Sequence, residues 1–324
     1  MSLQRLHFLV VVTLAAAATS AALGQTAAPG FGPAGSGSQT QAPIPDFSTA
    51  WARLSLPGFE PPLSGPGPVT NRSRRPDGAS NLLQLVGDYT NPILKPQAAE
   101  VVKRAAEIAL RGVGYPTPRN QCWPGGVPFV FSDMGMQMIQ EADRVTILYV
   151  YDHEVRRVRM NAPHPAQVTP SWYGHSVGRW EGDTLVVDTV GIKIGPLSML
   201  DMFGTPYSSA LHVAERYRLI EPQVAIEVHE RTLKTRPTFP ESTVAGGDAG
   251  LHIDPDYKGK GLQIELTVED EGAFTTPWSA TATYRRGVNW FGSQEWPETV
   301  CAENRHEYYG AKDTAVPQAE KPDF

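Results

Sequence analysis

Gly174-His-Ser-Val-Gly-Arg-Trp180 and Thr184-Leu-Val-Val-Asp-Thr-Val-Gly-Ile192 stand on either side of Glu181-Gly-Asp183. Two runs rich in β-branched and aromatic side chains around an acid–Gly–acid triplet read as two strands joined by a tight turn. The pattern recurs outward in both directions. Arg144 to Asp152 and Val155 to Met160 meet at an Asp-His-Glu corner, and Leu211 to Ile220 and Val224 to Leu233 flank Glu221-Pro-Gln223. Gly261 to Glu269 and Ser279 to Arg286 make a fourth pair around Glu271-Gly272 and Pro277. These pairs predict about eight strands in a meander, and the lack of long helices between them argues against a parallel βαβ sheet. Short sequential hairpins favour a barrel over a sandwich. The expected fold is therefore mainly β, an antiparallel up-and-down β-barrel of a size that can hold one small ligand inside.

The rest of the chain frames that barrel. Residues 1–24 carry Arg5 and then an apolar run from Leu6 to Leu23, with Ala22-Leu23-Gly24 suiting cleavage before Gln25. This predicts a signal peptide, a periplasmic or secreted protein, and no membrane span once the leader is removed. Residues 25–80, rich in Gly, Pro, Ser, Thr and Gln, read as a disordered, flexible arm. Residues 81–324 then form a single β-barrel domain ending in a polar C-terminal tail. Its one N-terminal helix is expected over 96–111, where Val101, Val102, Ala105, Ile108 and Ala109 recur at helical spacing and Pro96 suits the first turn. Its apolar stripe is expected to pack on the sheet. With 28 basic against 34 acidic side chains, the chain lacks the basic excess of a nucleic-acid binder. Export makes Cys122 and Cys301, the two cysteines present, an expected disulfide. That bond would close a loop of about 180 residues, contributing at most roughly 5 kcal/mol.

Chemistry-bearing residues gather around two long connections, Asn161 to Ser171 and Lys193 to Ala210. Candidate ligand contacts are His164, Trp172, Tyr173 and Tyr207. Candidate acid–base groups are His175, Asp188, His212 and Glu215, because a histidine beside a carboxylate can move a proton near neutral pH. Strand alternation sets His212 and Arg216 on one face and Glu215 and Tyr217 on the other. Arg157 and Arg159 would bind a carboxylate bidentately if they face inward, and are solvated if they face outward. Gly174-His-Ser-Val-Gly178 matches G-x-S-x-G, but strand residues continue on both sides, so Ser176 reads as a strand serine. No two histidines beyond the leader lie two, three or four residues apart. A zinc ion would need ligands gathered from distant strands, such as His164, His175 and His212, so neither metal nor cofactor is expected. The first expectation is a barrel that binds a small apolar or aromatic molecule. The alternatives are a cofactor-independent hydrolase, lyase or isomerase, and a structural or interaction protein with a filled barrel. The oligomeric state stays open.

The string from Ser171 to Gly191, followed by Gly204-Thr-Pro-Tyr-Ser-Ser-Ala-Leu-His-Val-Ala-Glu-Arg-Tyr-Arg218, resembles a large group of exported bacterial β-rich proteins. The likeness runs from about Gln121 to Asn304 and includes Pro277-Trp278 and Val300-Cys-Ala-Glu-Asn304. It implies export and a lipocalin-like barrel, and Gly178-Arg-Trp180 echoes the lipocalin Gly-x-Trp. It implies no particular reaction. Members of the group often carry His where Tyr207 stands, and Asp-Gly-Arg before the His-Pro that here ends Met160-Asn-Ala-Pro-His-Pro165. A metal or proton-transfer role for that histidine would not pass to Tyr207.

Overall fold

The structure, a computed structural model, describes residues 44–54, 56–132, 135–150, 154–235, 251–289, 292–293 and 295–296. The expected leader, residues 25–43 of the expected arm, Cys301 and the tail 302–324 lie outside them. Strand alternation decides what faces inward. In β9 (Gly261–Glu269), Leu262, Ile264, Leu266 and Val268 are buried, while the residues between them are only partly covered. β3 (Arg144–Tyr149) buries Val145, Ile147 and Tyr149 in the same way, and β4 (Val155–Met160) buries Arg156, Val158 and Met160. The remaining strands are β1 (Ala50–Ala52), β2 (Gly135–Gln140), β5 (His175–Glu181), β6 (Thr184–Val190), β7 (His212–Ile220), β8 (His252–Ile253) and β10 (Trp278–Val288).

Nine of these strands close a ring in the order β1-β2-β3-β4-β5-β6-β7-β9-β10 and back to β1, with β8 added beside β10. The barrel is therefore confirmed, but the strict up-and-down path is corrected. β4 and β5 run parallel, pairing Val158 with Ser176 and Met160 with Gly178, while every other neighbour in the ring is antiparallel. Directions cannot alternate all the way round an odd ring, so one parallel pair is unavoidable. Residues 161–174 supply the long crossover that a parallel pair needs.

Three expectations change. The stretch Val224 to Leu233 is not a strand but part of helix α2 (Pro222–Thr235). Val224, Ile226 and Val228 imitate a strand period, yet Pro222 fits a first helical turn. Ala225, Ile226, Val228, His229 and Thr232, which are at least partly covered, fall at helical spacing. The arm is not loose from residue 44 onward: Phe47, Trp51, Phe59 and Val69 are buried in the main core. β1 closes the ring by placing Trp51 opposite both Met136 and Arg286. Helix α1 (Pro96–Leu110) forms as expected, but its small buried face meets a loop layer. Gly87 lies so close to Val102 and Phe203 that a Cβ there would sit 2.7 and 2.8 Å from them. Among the described residues, no helix is long and apolar enough to cross a membrane.

Bulky side chains occupy the interior, with Trp278, Tyr284, Met136, Met138, Ile147 and Leu185 each fully buried. At its heart lies an ion pair. Arg156, 1% exposed, donates to both carboxylate oxygens of Glu215, at 2.9 and 2.7 Å. Its other N–H groups reach Ser176 Oγ at 3.0 Å, Thr189 Oγ1 at 2.6 Å and Tyr149 Oη at 3.5 Å. Tyr217 donates to Glu215 at 2.6 Å. Burial opposes the guanidinium charge, but Glu215, with Tyr149 and Tyr217, more than offsets it and holds the Arg156 pKa well above its usual value. Burial pushes the Tyr149 phenol up to about 12.

Replacing Glu215 with Leu leaves a guanidinium uncompensated in the core and is expected to cost about 3–5 kcal/mol. Adding Arg156→Met to that variant removes the orphaned charge, so the double variant should unfold at higher urea than Glu215→Leu alone. A double variant no more stable than the single one would show that the pair is not what holds this interior.

Candidate functional site

The outer face of the same strands carries the chemistry. His175 lies opposite Val190, and Thr189 lies opposite Val213, so Val190 and His212 come opposite one another; His212 then faces Glu269. His175, Val190, His212 and Glu269 thus form one cross-strand row over β5, β6, β7 and β9. Asp188, two residues before Val190, points to the same face. Gly174 sets up the row. Its φ of +64° turns the crossover into β5, and a Cβ there would lie 2.6 Å from the Val190 carbonyl oxygen. His164 reaches the row from the crossover itself.

These side chains are joined. Asp188 Oδ1 lies 2.5 Å from His212 Nε2, and Oδ2 lies 2.8 Å from His164 Nε2. His164 Nδ1 is 2.8 Å from His175 Nδ1, and His212 Nδ1 is 3.5 Å from Glu269 Oε2. An ionised carboxylate only accepts, so His212 and His164 must both present Nε2–H to Asp188. Between the two Nδ1 atoms one ring donates and the other accepts. When His164 accepts, His175 carries its proton on Nδ1 and its Nε2 is a bare lone pair. A proton taken up at Nε2 can then pass as Nδ1–H to His164, and the resulting imidazolium rests against Asp188. The arrangement is a proton relay with its counter-charge at the far end.

The electrostatics separate the two outer rings. The hydrogen bond to Asp188 raises the His212 pKa; burial opposes this and the charges of Asp188 and Glu269 reinforce it. Burial lowers that of His175, helped by Arg159 and His164. Burial pulls the Asp188 carboxyl up, but the hydrogen bonds and charges of His212 and then His164 hold it below its usual range. The Asp188 and His212 side chains are 21% and 25% exposed, so a small molecule can reach a site that is mostly shielded from water. A cleft of about 370 Å³ runs beside His212, lined by Glu269, Asp270, Glu271, Phe274 and Thr275.

Of the expected site residues, His164, His175, Asp188 and His212 come together. Glu215 does not: it is fully buried on the inner face and belongs to Arg156. Arg157 and Arg159 point outward and are exposed, the solvated one of their two expected orientations, so the carboxylate role that needed them inside the barrel does not hold; the inward arginine is Arg156 between Val155 and Arg157. Three arginines in Val155-Arg-Arg-Val-Arg-Met160 cannot share one face of a strand, so alternation held that signal. Tyr173 is buried and stacks on Tyr149 with centroids 5.5 Å apart. Trp172 packs edge-on to Trp123 beneath the Lys193 ammonium. Tyr207 donates its hydroxyl to the Lys193 carbonyl oxygen. Ser176 is a buried strand serine bonded to Arg156. Glu269 was missed because its strand neighbours β7 only after α2 is skipped. Among the described residues, no group of three or more His, Cys, Asp or Glu side chains has the geometry to hold a metal ion.

Histidine NMR titration should place His212 above the usual 6.5 and His175 below it. Asp188→Asn should return His212 toward or below its ordinary value. Identical titration of the two rings in the parent protein would contradict the assigned network. Family models, curated proteins and solved structures were each compared with this chain and none matches, so its site is defined by its own geometry.

Proposed function

We propose that this chain is an exported acid–base enzyme, a hydrolase, lyase or isomerase, that works through its own side chains on a small molecule lying across the outer face of β5, β6 and β7. One observation carries this reading. A single carboxylate, Asp188, anchors two imidazole systems whose proton affinities are driven apart, the condition that assigns one group as acid and the other as base. His175 is the base: its Nε2 takes the proton and the His164–Asp188 relay stabilises the charge. His212 is the acid, giving up the Nδ1 proton that otherwise points toward Glu269. The two rings stand two strand spacings apart, about 10 Å, which a small molecule can span. Protons return to the starting arrangement through water once the product leaves. Acidic residues along the cleft, Glu269 and Glu271, favour neutral or cationic substrates.

A ligand inside the barrel is not part of this reading, because the inward positions of the strands already carry large side chains. Kinship with the exported β-rich group, cleavage before Gln25 and a periplasmic or secreted location belong to the same proposal. So does a Cys122–Cys301 clasp. Protein prepared from periplasm and denatured without reductant should show no reactive thiol, and two reactive thiols would refute the clasp.

The reaction is tested with a panel of chromogenic esters, lactones and β-elimination substrates. His175 must be neutral, so the rate should rise as pH climbs through its lowered pKa. His212 must be protonated, so the rate should fall as pH passes its raised pKa. The profile is a bell whose rising limb belongs to His175 and whose falling limb belongs to His212. Replacing either histidine with Ala should lower kcat by about 10²–10⁴-fold, whereas the exposed control Arg157→Gln should match the parent. A doubly substituted His175→Ala, His212→Ala protein as active as the parent would sink the proposal.

A further inference from the structure

A second cleft, of about 290 Å³, opens between residues 56–61, residues 69–82, Phe203 and the outer end of α2. Its walls include Leu56, Phe59, Val69, Leu82 and Phe203. Phe59, Val69 and Phe203 are themselves members of the main core, so this apolar surface is backed by rigid packing. Gly58 shows how tight the backing is, since a Cβ there would lie 2.9 Å from the Phe203 ring. The volume falls at the lower end of small-ligand pockets.

Charge selects the ligand. Arg74 and Arg231 both line the cleft and are exposed. Arg74 is held in place, its Nη1 donating to the carbonyl oxygens of Asn71 and Ser73. Among the described residues that line the cleft, Glu60 is the one carboxylate, and the buried guanidinium of Arg53 already sits 3.5 Å from it. Burial also pushes its carboxyl up, with Arg53 and then Arg231 opposing. With Arg53 counted, three guanidinium groups face one carboxylate, so the edge of the apolar hollow keeps a net positive charge.

We propose that this cleft is a binding site for a small apolar monocarboxylate, whose chain or ring lies on Phe59, Val69 and Phe203 and whose carboxylate is held by Arg231 and Arg74. Guanidinium groups match a carboxylate in a planar, two-bond geometry, and the apolar walls add affinity in proportion to the area they cover. The site is separate in its residues from the Asp188 cluster, and its occupancy does not depend on whether the histidines catalyse a reaction.

Calorimetric titration with octanoate, 1-octanol and octylamine tests it. Octanoate should bind the full chain, the uncharged alcohol about a hundredfold more weakly, the size of two lost charge-assisted bonds, and the amine most weakly. Arg231→Gln should weaken octanoate about tenfold while leaving octanol unchanged, and the Arg74→Gln, Arg231→Gln double variant should no longer tell the acid from the alcohol. Both positions are exposed, so circular dichroism should match the parent. Leu82→Trp supplies a second readout, its fluorescence shifting as octanoate fills the cleft. No binding of octanoate, equal binding of octanol, or full octanoate affinity in the double arginine variant would each overturn the proposal.

Discussion

A guanidinium and a carboxylate sealed inside a barrel cannot be approximately placed. Arg156 has five N–H donors, and they are divided among Glu215, Ser176, Thr189 and Tyr149, with Tyr217 completing the carboxylate side. Those partners come from β3, β5, β6 and β7, so one side chain on β4 ties five strands together. Desolvating either charge without the other costs several kcal/mol, which penalises every register except this one. Sliding β4 by a single residue would bring Arg157 inside and turn Arg156 to solvent. The Arg156–Ser176 bond also spans the β4–β5 seam, the parallel junction where the register holds over only three pairs.

The outer site is the complement of that inner constraint. Alternation makes each inward residue fix the direction of its neighbours. With Ser176 inward, His175 must point outward; with Thr189 inward, Asp188 must point outward. Counting from Glu215 back to His212 crosses three positions and therefore changes face. The inner network thus sets the angles of the outer one, and the histidines stand on regular strands whose backbones are already pinned. This is the support a proton-transfer site needs, because an error of about 1 Å between donor and acceptor is costly to catalysis.

The parts legible in the sequence were those governed by local rules. The hairpins β5–β6, β3–β4 and β9–β10 are written in β-branched runs and turn residues, and the opposite faces of His212 and Glu215 follow from counting. The unread parts depend on partners distant in the chain. β1 is three residues long within a Pro- and Gly-rich stretch, and it becomes a strand only because β2 and β10 flank it. α2 carries valine and isoleucine two apart, and that local spacing gives no sign that β7 pairs directly with β9 and leaves the segment outside the ring. Arg156 could not be told from Arg157 without knowing which face of β4 is inward, and the Glu215 that answers it lies 59 positions away.

His164 is the member of the cluster that no strand carries, and its presence follows from the number of strands. An even ring could have been antiparallel throughout, with β4 turning into β5 through a short hairpin. The ninth strand, β1, is drawn from the segment ahead of the helix, and it makes the ring odd. An odd ring forces one parallel pair, a parallel pair forces a crossover, and the crossover from Asn161 to Gly174 passes over the outer face beside Asp188. Without it Asp188 would hold only His212, and His175 would stand in the same row with no proton acceptor behind it. The same topological exception that breaks the meander thus turns a histidine–carboxylate pair into a relay.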